Sequence, residues 1–455
     1  MLTSAGIRYA WEQICQRAGL SLKDSLDKTV IQYGEFNIGI DSDKLKIRIF
    51  RSTEELWRSL VNSADNSLNW VVADSLMPTG HPHPFLNRIP ILFPANEEFL
   101  PEHLIEYDAE QNALTINFDI IAAAYILLTR WEEMVIQARD QHNRFPSAAS
   151  IAYRQGFLSR PIVDEYALIL RQWLSVLLPE LPLITHKFQL QISHDIDHLG
   201  RSRRPVLDGV RMLKNYLLHW DKQIFLDDAR HVAAGHGITP NTWAATQLVK
   251  WAGELNYRPR FYFMTATQSA YDEGYELTTS ENLELIDNIS RSGYEIGLHA
   301  GYETMLNLDQ LKREKERLEQ VLQSPVTSVR QHYLRTQTPE TWRHWQNAGF
   351  LHDSSLGYSD APGFRCGTCH PFKLFDVETD HELDVMEEPL IVMDTTLFNQ
   401  QKTLKMVENQ ILTLASNCQF VGGIFNFLWH NTSLFHNRFH WGQFYFHFIP
   451  RLLEL

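Results

Sequence analysis

Cysteine is scarce, with only Cys15, Cys366, Cys369 and Cys418 in 455 residues. That is too few for a disulfide scaffold in a chain of this length. Cys366 and Cys369 form a lone pair without the second pair that a structural zinc site needs. Long apolar runs are also missing. The longest, IIAAAYILL at Ile120–Leu128, falls well short of the ~20 residues a membrane-spanning helix requires. The opening MLTSAGIRYAWEQICQRAGL has no basic stretch followed by an apolar core, so no secretory signal is expected and the expected location is cytoplasmic. Basic charge is in deficit, with 41 Lys and Arg against 55 Asp and Glu and a net charge of −14. This balance argues against nucleic-acid and anionic-lipid partners, which are recognised by clustered Lys and Arg. The sequence has no Gly-x-Ser-x-Gly elbow, no phosphate-binding glycine loop and no His-Glu-x-x-His. It therefore lacks the marks of serine hydrolases, P-loop enzymes and helical zinc proteases.

What is present is ordinary for a globular chain with a real core: 44% hydrophobic and 21% charged residues. The length suggests two domains. In the first part, Lys44–Phe50 alternates polar and apolar residues as a half-buried strand does, and Ala113–Phe118 reads the same way. Asp119–Arg139 reads as one largely buried helix whose end is fixed by a salt-bridge cluster of Arg130, Glu132 and Glu133. Ile162–Leu178 is an amphipathic helix, closed by the proline-bearing PELPL. A boundary is expected near 185, giving domains 1–185 and 186–455.

The second part alternates strands and helices more regularly. Strands are expected at Phe188–Ser193, Arg260–Met264, Tyr294–Leu298, Val326–Val329, Phe350–His352, Glu388–Asp394 and Gly423–Trp429. Helices are expected at Val206–Trp220, Thr242–Asn256, Glu281–Ser290, Asp309–Leu322 and Pro339–Ala348, with a C-terminal core helix carrying Trp441, Phe444, Tyr445, Phe448 and Leu452. This alternation implies parallel strands joined by helical crossovers, and about seven such strands would close into a barrel. The fold class is therefore α/β, a (β/α)7-type barrel in the C-terminal half with a separate N-terminal α/β (α+β) domain.

Six of these strands end in side chains that carry chemistry. His194, Asp195 and Asp197 follow the first, His299 another, and Arg330 and His332 the next. Asp353, Asp394 and His430 follow the remaining three. Parallel strands bring their carboxyl ends to one face, where barrel enzymes place their sites. Taken singly, each residue is most simply a turn residue or a helix cap. Together they are costly to desolvate unless paired or metal-bound. Asp195 and Asp197 point to the same side of an extended segment. Close carboxylates resist joint ionisation unless a cation sits beside them. A divalent metal on one, with the other acting as base toward water, resolves the conflict.

The segments SHDID, GLHAGYE, VRQHYLR and FLWHN, in that order over about residues 186–435, resemble the motifs of the polysaccharide deacetylase family (carbohydrate esterase family four, the NodB-homology domain). That family's domain is a distorted (β/α) barrel. The chain before 186 resembles the poorly characterised N-terminal region, of unknown function, that accompanies some bacterial deacetylase-like proteins. The resemblance implies Asp195 as general base, Asp197 as first metal ligand and His299 as first histidine ligand. It implies Arg330 as the residue orienting the base and His430 as the acid protonating the leaving amine. For the acidic residue supporting His430, Asp353 and Asp394 both qualify, and spacing favours Asp394. Two positions depart from the family pattern. Its second metal histidine falls where this chain has Glu303, and its proline two residues after the arginine is His332. Either residue is a candidate third ligand, since carboxylate and imidazole both bind zinc.

The expected activity is metal-dependent removal of N-acetyl groups from a carbohydrate, with Zn2+ or another divalent metal as cofactor and an N-acetylated sugar or glycoconjugate as substrate. The alternative is a catalytically degenerate barrel that binds carbohydrate or regulates. A related metal amidohydrolase acting on a non-sugar amide is a third reading. The loop GFRCGTCHPF is a candidate substrate-facing rim, with Arg365 as a possible contact. His436 and His440, four apart, form a weaker candidate metal pair.

Overall fold

The computed structural model describes the chain apart from residues 1, 22, 24–27, 35, 39–43, 82–86, 96–99, 201–208, 211–212, 214–225, 227–228, 231, 234–240, 399–402 and 436–437. The expected helix at Val206–Trp220 lies almost wholly outside the described residues, and so does His436 of the pair with His440. No described helix is long and apolar enough to cross a membrane.

The chain forms two compact units, and they are interleaved in sequence. One comprises Met1–Gln189, Gly363–Pro389 and Thr413–Phe425; the other comprises Leu190–Pro362, Leu390–Leu412 and Asn426–Leu455. The expected domains were contiguous, divided at 185. The observed first unit instead recruits two late segments, including the GFRCGTCHPF loop.

In the first unit a five-stranded mixed sheet runs in the order Phe36–Ile38, Thr29–Tyr33, Leu45–Ile49, Ala113–Ile116, Ile105–Asp108. The alternation read in the sequence is realised in Leu45–Ile49, where buried and half-buried residues alternate. The helix expected over Asp119–Arg139 is two helices. Ile120–Leu128 is buried on every side, and the Asp119 side chain caps its start by accepting from the Ala122 amide at 2.8 Å. Arg130 then takes a left-handed backbone conformation, φ 53°, and Trp131–Val135 forms a short second helix. The apolar run looked continuous, but Arg130 turns the chain so that its guanidinium meets Glu132 at 2.6 Å and Glu133 at 2.8 Å. Arg365 joins this cluster. It is buried and donates to both oxygens of Glu133 at 2.9 and 2.8 Å. It is an internal ion-pair partner and not the substrate-facing rim residue considered from the sequence.

The second unit holds a sheet with strand order His352–Asp353, Ser328–Gln331, Glu295–Ala300, Arg260–Phe263, Gln189–Ile196, Ile424–Leu428, Val392–Met393. The first five pair in parallel in sequence, and Val392–Met393 pairs in parallel with Ile424–Leu428. These strands belong to a nine-stranded sheet that curls into a half-barrel, in line with the distorted (β/α) barrel expected. Helices Asn241–Glu254, Ser280–Arg291, Leu308–Leu322 and Glu340–Asn347 connect the strands. Leu308–Leu322 buries Leu311, Glu314 and Leu318 and exposes Lys312, Arg313, Glu316 and Arg317. The last helix, Phe439–Leu453, buries Tyr445, Phe448 and Leu452 as its periodicity predicts.

Candidate metal centre

Parallel pairing puts His299 level with Arg330 and places Asp195 beside Tyr262. The residues read from separate motifs therefore converge at the strand ends. Asp197 Oδ1 lies 3.2 Å from His299 Nε2, Asp195 Oδ2 lies 3.7 Å from the same nitrogen, and Asp197 Oδ2 lies 3.9 Å from His430 Nε2. Asp197, His299 and His332 each offer one ligand atom, all within 4.8 Å of one another.

Tautomers follow from what the opposite ring nitrogens do. His299 Nδ1 donates to the Arg330 carbonyl at 3.0 Å, and His332 Nδ1 donates to Asp272 Oδ1 at 2.7 Å. In each neutral ring this leaves the Nε2 lone pair as the free donor atom. His299 Nε2 and Asp197 Oδ1 are both buried and lack hydrogen-bond partners. A nitrogen lone pair and a carboxylate oxygen 3.2 Å apart repel each other unless a proton or a cation lies between them. Ligand atoms on a tetrahedral zinc are roughly 3.3 Å apart, given metal–ligand bonds of about 2.0–2.1 Å. Asp197 and His299 thus fit a divalent cation in donor type and spacing, and His332 offers a third donor atom within 4.8 Å of both.

The electrostatics agree. Burial disfavours the Asp197 carboxylate, but His430, the contact with His299 and then His332 outweigh burial and hold its pKa far below the usual carboxylate range. Burial disfavours a charged His299, yet Asp195 and then Asp197 raise its pKa above the ordinary imidazole value. His430 is also buried, and Asp394 followed by Asp197 lifts it to about 9. The pair is specific in geometry: His430 Nδ1 donates to Asp394 Oδ1 at 2.7 Å and the His430 amide donates to Asp394 Oδ2 at 3.0 Å.

Arg330 is fully buried, and all three of its guanidinium nitrogens donate. Nη1 donates to Asp195 Oδ1 at 2.9 Å and to Ser193 Oγ at 2.8 Å, Nε to the Ser354 carbonyl at 2.9 Å, and Nη2 to Ser354 Oγ at 2.9 Å. The group lies 4.4 Å from the Tyr262 ring centroid. Gly297 makes room for that ring, because a Cβ there would sit 2.7 Å from two Tyr262 carbons.

Not every expected residue joins the centre. Glu303 is exposed on the short 3-10 turn Tyr302–Leu306, which starts directly after Gly301 and carries the side chain outward. It is absent from the group of candidate ligands among the described residues, whose third member is His332. Asp353 accepts the amide and hydroxyl of Ser355 at 3.0 and 2.6 Å, so both its oxygens serve its own turn, whereas Asp394 engages His430. His194 turns inward, with Nδ1 at 2.9 Å from the Trp429 carbonyl, and burial lowers its pKa to about 4. Sequence reasoning missed Asp272, Ser193 and Ser354. One signal pointed toward Asp272: Arg260–Phe263 was the one central strand with no chemical residue at its immediate end, and Asp272 lies in the loop that follows it.

A family model described as a family of unknown function (DUF7033) matches residues 3–179. No curated protein matches the chain. Among solved structures the chain is similar to a protein described as a polysaccharide deacetylase from Mycobacterium smegmatis, at 16% identity over 59% of this chain and 85% of that one, with a TM-score of 0.38. An allantoinase is similar at 12% identity over 59% and 85% of the two chains, TM-score 0.36. A mutant of a CE4-family pseudoenzyme with restored enzymatic activity is similar at 10% identity over 59% and 63%, TM-score 0.27.

Proposed function

We propose that the second unit is a metal-dependent amide hydrolase, and that its substrate is an N-acetylated carbohydrate from which it releases acetate and a free amine. The observation that carries the hydrolase reading is the convergence of Asp197, His299 and His332 beside two further pairs, Asp195–Arg330 and His430–Asp394. The carbohydrate half rests on the motif resemblance.

Asp197, His299 and His332 would hold the ion. A divalent ion at such a site polarises a carbonyl and lowers the pKa of water. Asp195 takes a proton from the attacking water. Arg330, itself fully buried, holds the Asp195 carboxylate through Nη1. His430, kept protonated by Asp394, faces the centre through Nε2 and gives a proton to the departing amine nitrogen. Asp394 is the group that keeps this proton available, since its carboxylate is the main cause of the raised His430 pKa.

Elemental analysis of protein purified without chelator tests the metal. Acetate release from N-acetylglucosamine oligomers tests the substrate. The expected result is about one metal ion per chain, with acetate release that Asp195→Asn reduces by ~10²–10⁴-fold while the metal stays bound. Full activity in that variant would remove Asp195 from its role. Protein with neither metal nor hydrolytic activity would leave the carbohydrate-binding alternative.

A further inference from the structure

We infer that Asp272 is the positioning residue of the metal centre: it fixes the His332 imidazole by its Nδ1, leaving Nε2 as the ligand atom, and so makes His332 a working third ligand. The inference rests on the metal-binding reading above.

Asp272 lies in the loop between the strand Arg260–Phe263 and the helix Ser280–Arg291. It is 3% exposed, and its carboxylate accepts from three different places. His332 Nδ1 is 2.7 Å from Oδ1, the Tyr302 amide is 3.0 and 3.2 Å from Oδ1 and Oδ2, and Ser269 Oγ is 3.1 Å from Oδ2. The loop itself is closed on Ser269, whose hydroxyl accepts the Asp272 amide at 2.9 Å and whose amide donates to the Asp272 carbonyl at 2.9 Å. The Tyr271 and Tyr302 rings stack with centroids 3.9 Å apart and clamp the loop from one side.

Tyr302 lies just beyond the strand that carries His299, and His332 begins the turn after the strand that carries Arg330. One carboxylate therefore joins the segments that follow two adjacent strands. It sets the separation of the His299 and His332 rings, whose centroids are 4.9 Å apart. A carboxylate on Nδ1 also forces the proton onto that nitrogen and raises the basicity of Nε2, as outer partners of metal-bound histidines do. His332 has no such partner in its own neighbourhood of sequence. The residues directly after it, Tyr333 and Leu334, have left-handed backbones at φ 61° and 54°, so the turn takes a shape that bulky residues rarely adopt. Asp272 supplies the external anchor for a ligand on that turn.

The test uses the full chain stripped of metal and titrated with Zn2+ against a chromophoric chelator. Wild type, Asp272→Asn, His332→Ala and the double variant are compared. Asp272→Asn should bind zinc ~10–100-fold more weakly. The double variant should bind no more weakly than His332→Ala alone, because Asp272 acts through His332; a merely structural role would add its loss in both backgrounds. Equal affinity in Asp272→Asn and wild type, or additive losses in the double variant, would overturn the inference while leaving the metal reading intact. Absence of zinc binding by wild type would overturn both. A measurement without substitution guards against misfolding of the variant: 15N-histidine NMR of the wild-type chain should show His332 protonated at Nδ1, with the Nε2 resonance moving when zinc is added. Protonation at Nε2 in the zinc-loaded chain would refute the assignment.

Discussion

Glu133→Gln should weaken the first unit by about 3 kcal/mol, and the size follows from the local geometry. Glu133 is buried, and its oxygens accept from Arg130 Nε at 2.8 Å, Arg365 Nε at 2.9 Å and Arg365 Nη2 at 2.8 Å. Burial by itself would push the carboxyl pKa up, but Arg365 and then Arg130 outweigh burial and pull it from 4.5 to about 2. At about 1.4 kcal/mol per pH unit, this fall corresponds to about 3 kcal/mol in favour of the folded, ionised state. Removing one partner of a buried ion pair typically costs 3–5 kcal/mol, so the two routes agree. The pH dependence has a definite sign. A folded pKa below the unfolded one gives stability that is present above the unfolded value, 4.5, and is lost as pH falls through about 2. The assay is hydrogen exchange read on peptides covering 120–135 and 363–370. At pH 7 protection in the variant should drop on the order of 100-fold, and the gap to wild type should close as pH is lowered from 5 toward 2. Protection within about threefold of wild type at pH 7, or a gap that does not narrow in acid, would refute the reasoning.

Other consequences can be checked by simple assays. Asp394→Asn should cut turnover by ~10²-fold or more, whereas Asp353→Asn should leave turnover within a few-fold and lower only the melting temperature. Equal kinetic losses in the two variants would undo the choice between them. Arg330→Met should lower kcat with little change in KM, because Asp195 loses its anchor and no contact of Arg330 is assigned to substrate. Gly297→Val should destabilise the second unit by about 1–3 kcal/mol in urea unfolding, since even a Cβ meets the Tyr262 ring at 2.7 Å and the Ser328 carbonyl at 3.0 Å. Glu303→Gln should leave zinc affinity unchanged, as its side chain is exposed; a tenfold loss would return it to the ligand set.

Much of the site could be read in the sequence because its members sit at strand ends. Alternating and continuous apolar runs located the strands Gln189–Ile196, Glu295–Ala300, Ser328–Gln331 and Ile424–Leu428 to within a few residues. Once those strands are parallel, the residues that follow them share a face. Asp197 and His299 are therefore neighbours for a reason visible in one dimension. The helix break at Arg130 was less visible, because Ile120–Leu128 continues into residues with no glycine or proline to stop it. Arg130 leaves the helical conformation and pairs with Glu132 and Glu133, and Glu133 is held in turn by Arg365, more than two hundred residues away.

The sequence by itself determined the strands that carry the site, the two carboxylates of the SHDID segment, the imidazole of His299 and the arginine that meets Asp195. These depend on local periodicity and on which residue ends each strand. Only the tertiary structure brings His332 rather than Glu303 within reach of Asp197 and His299, Asp394 rather than Asp353 against His430, and Asp272 against His332. Each contact turns on which way a loop carries its side chain and which distant group meets it. Such contacts leave no period in the chain, because loops obey the fold around them more than the residues within them.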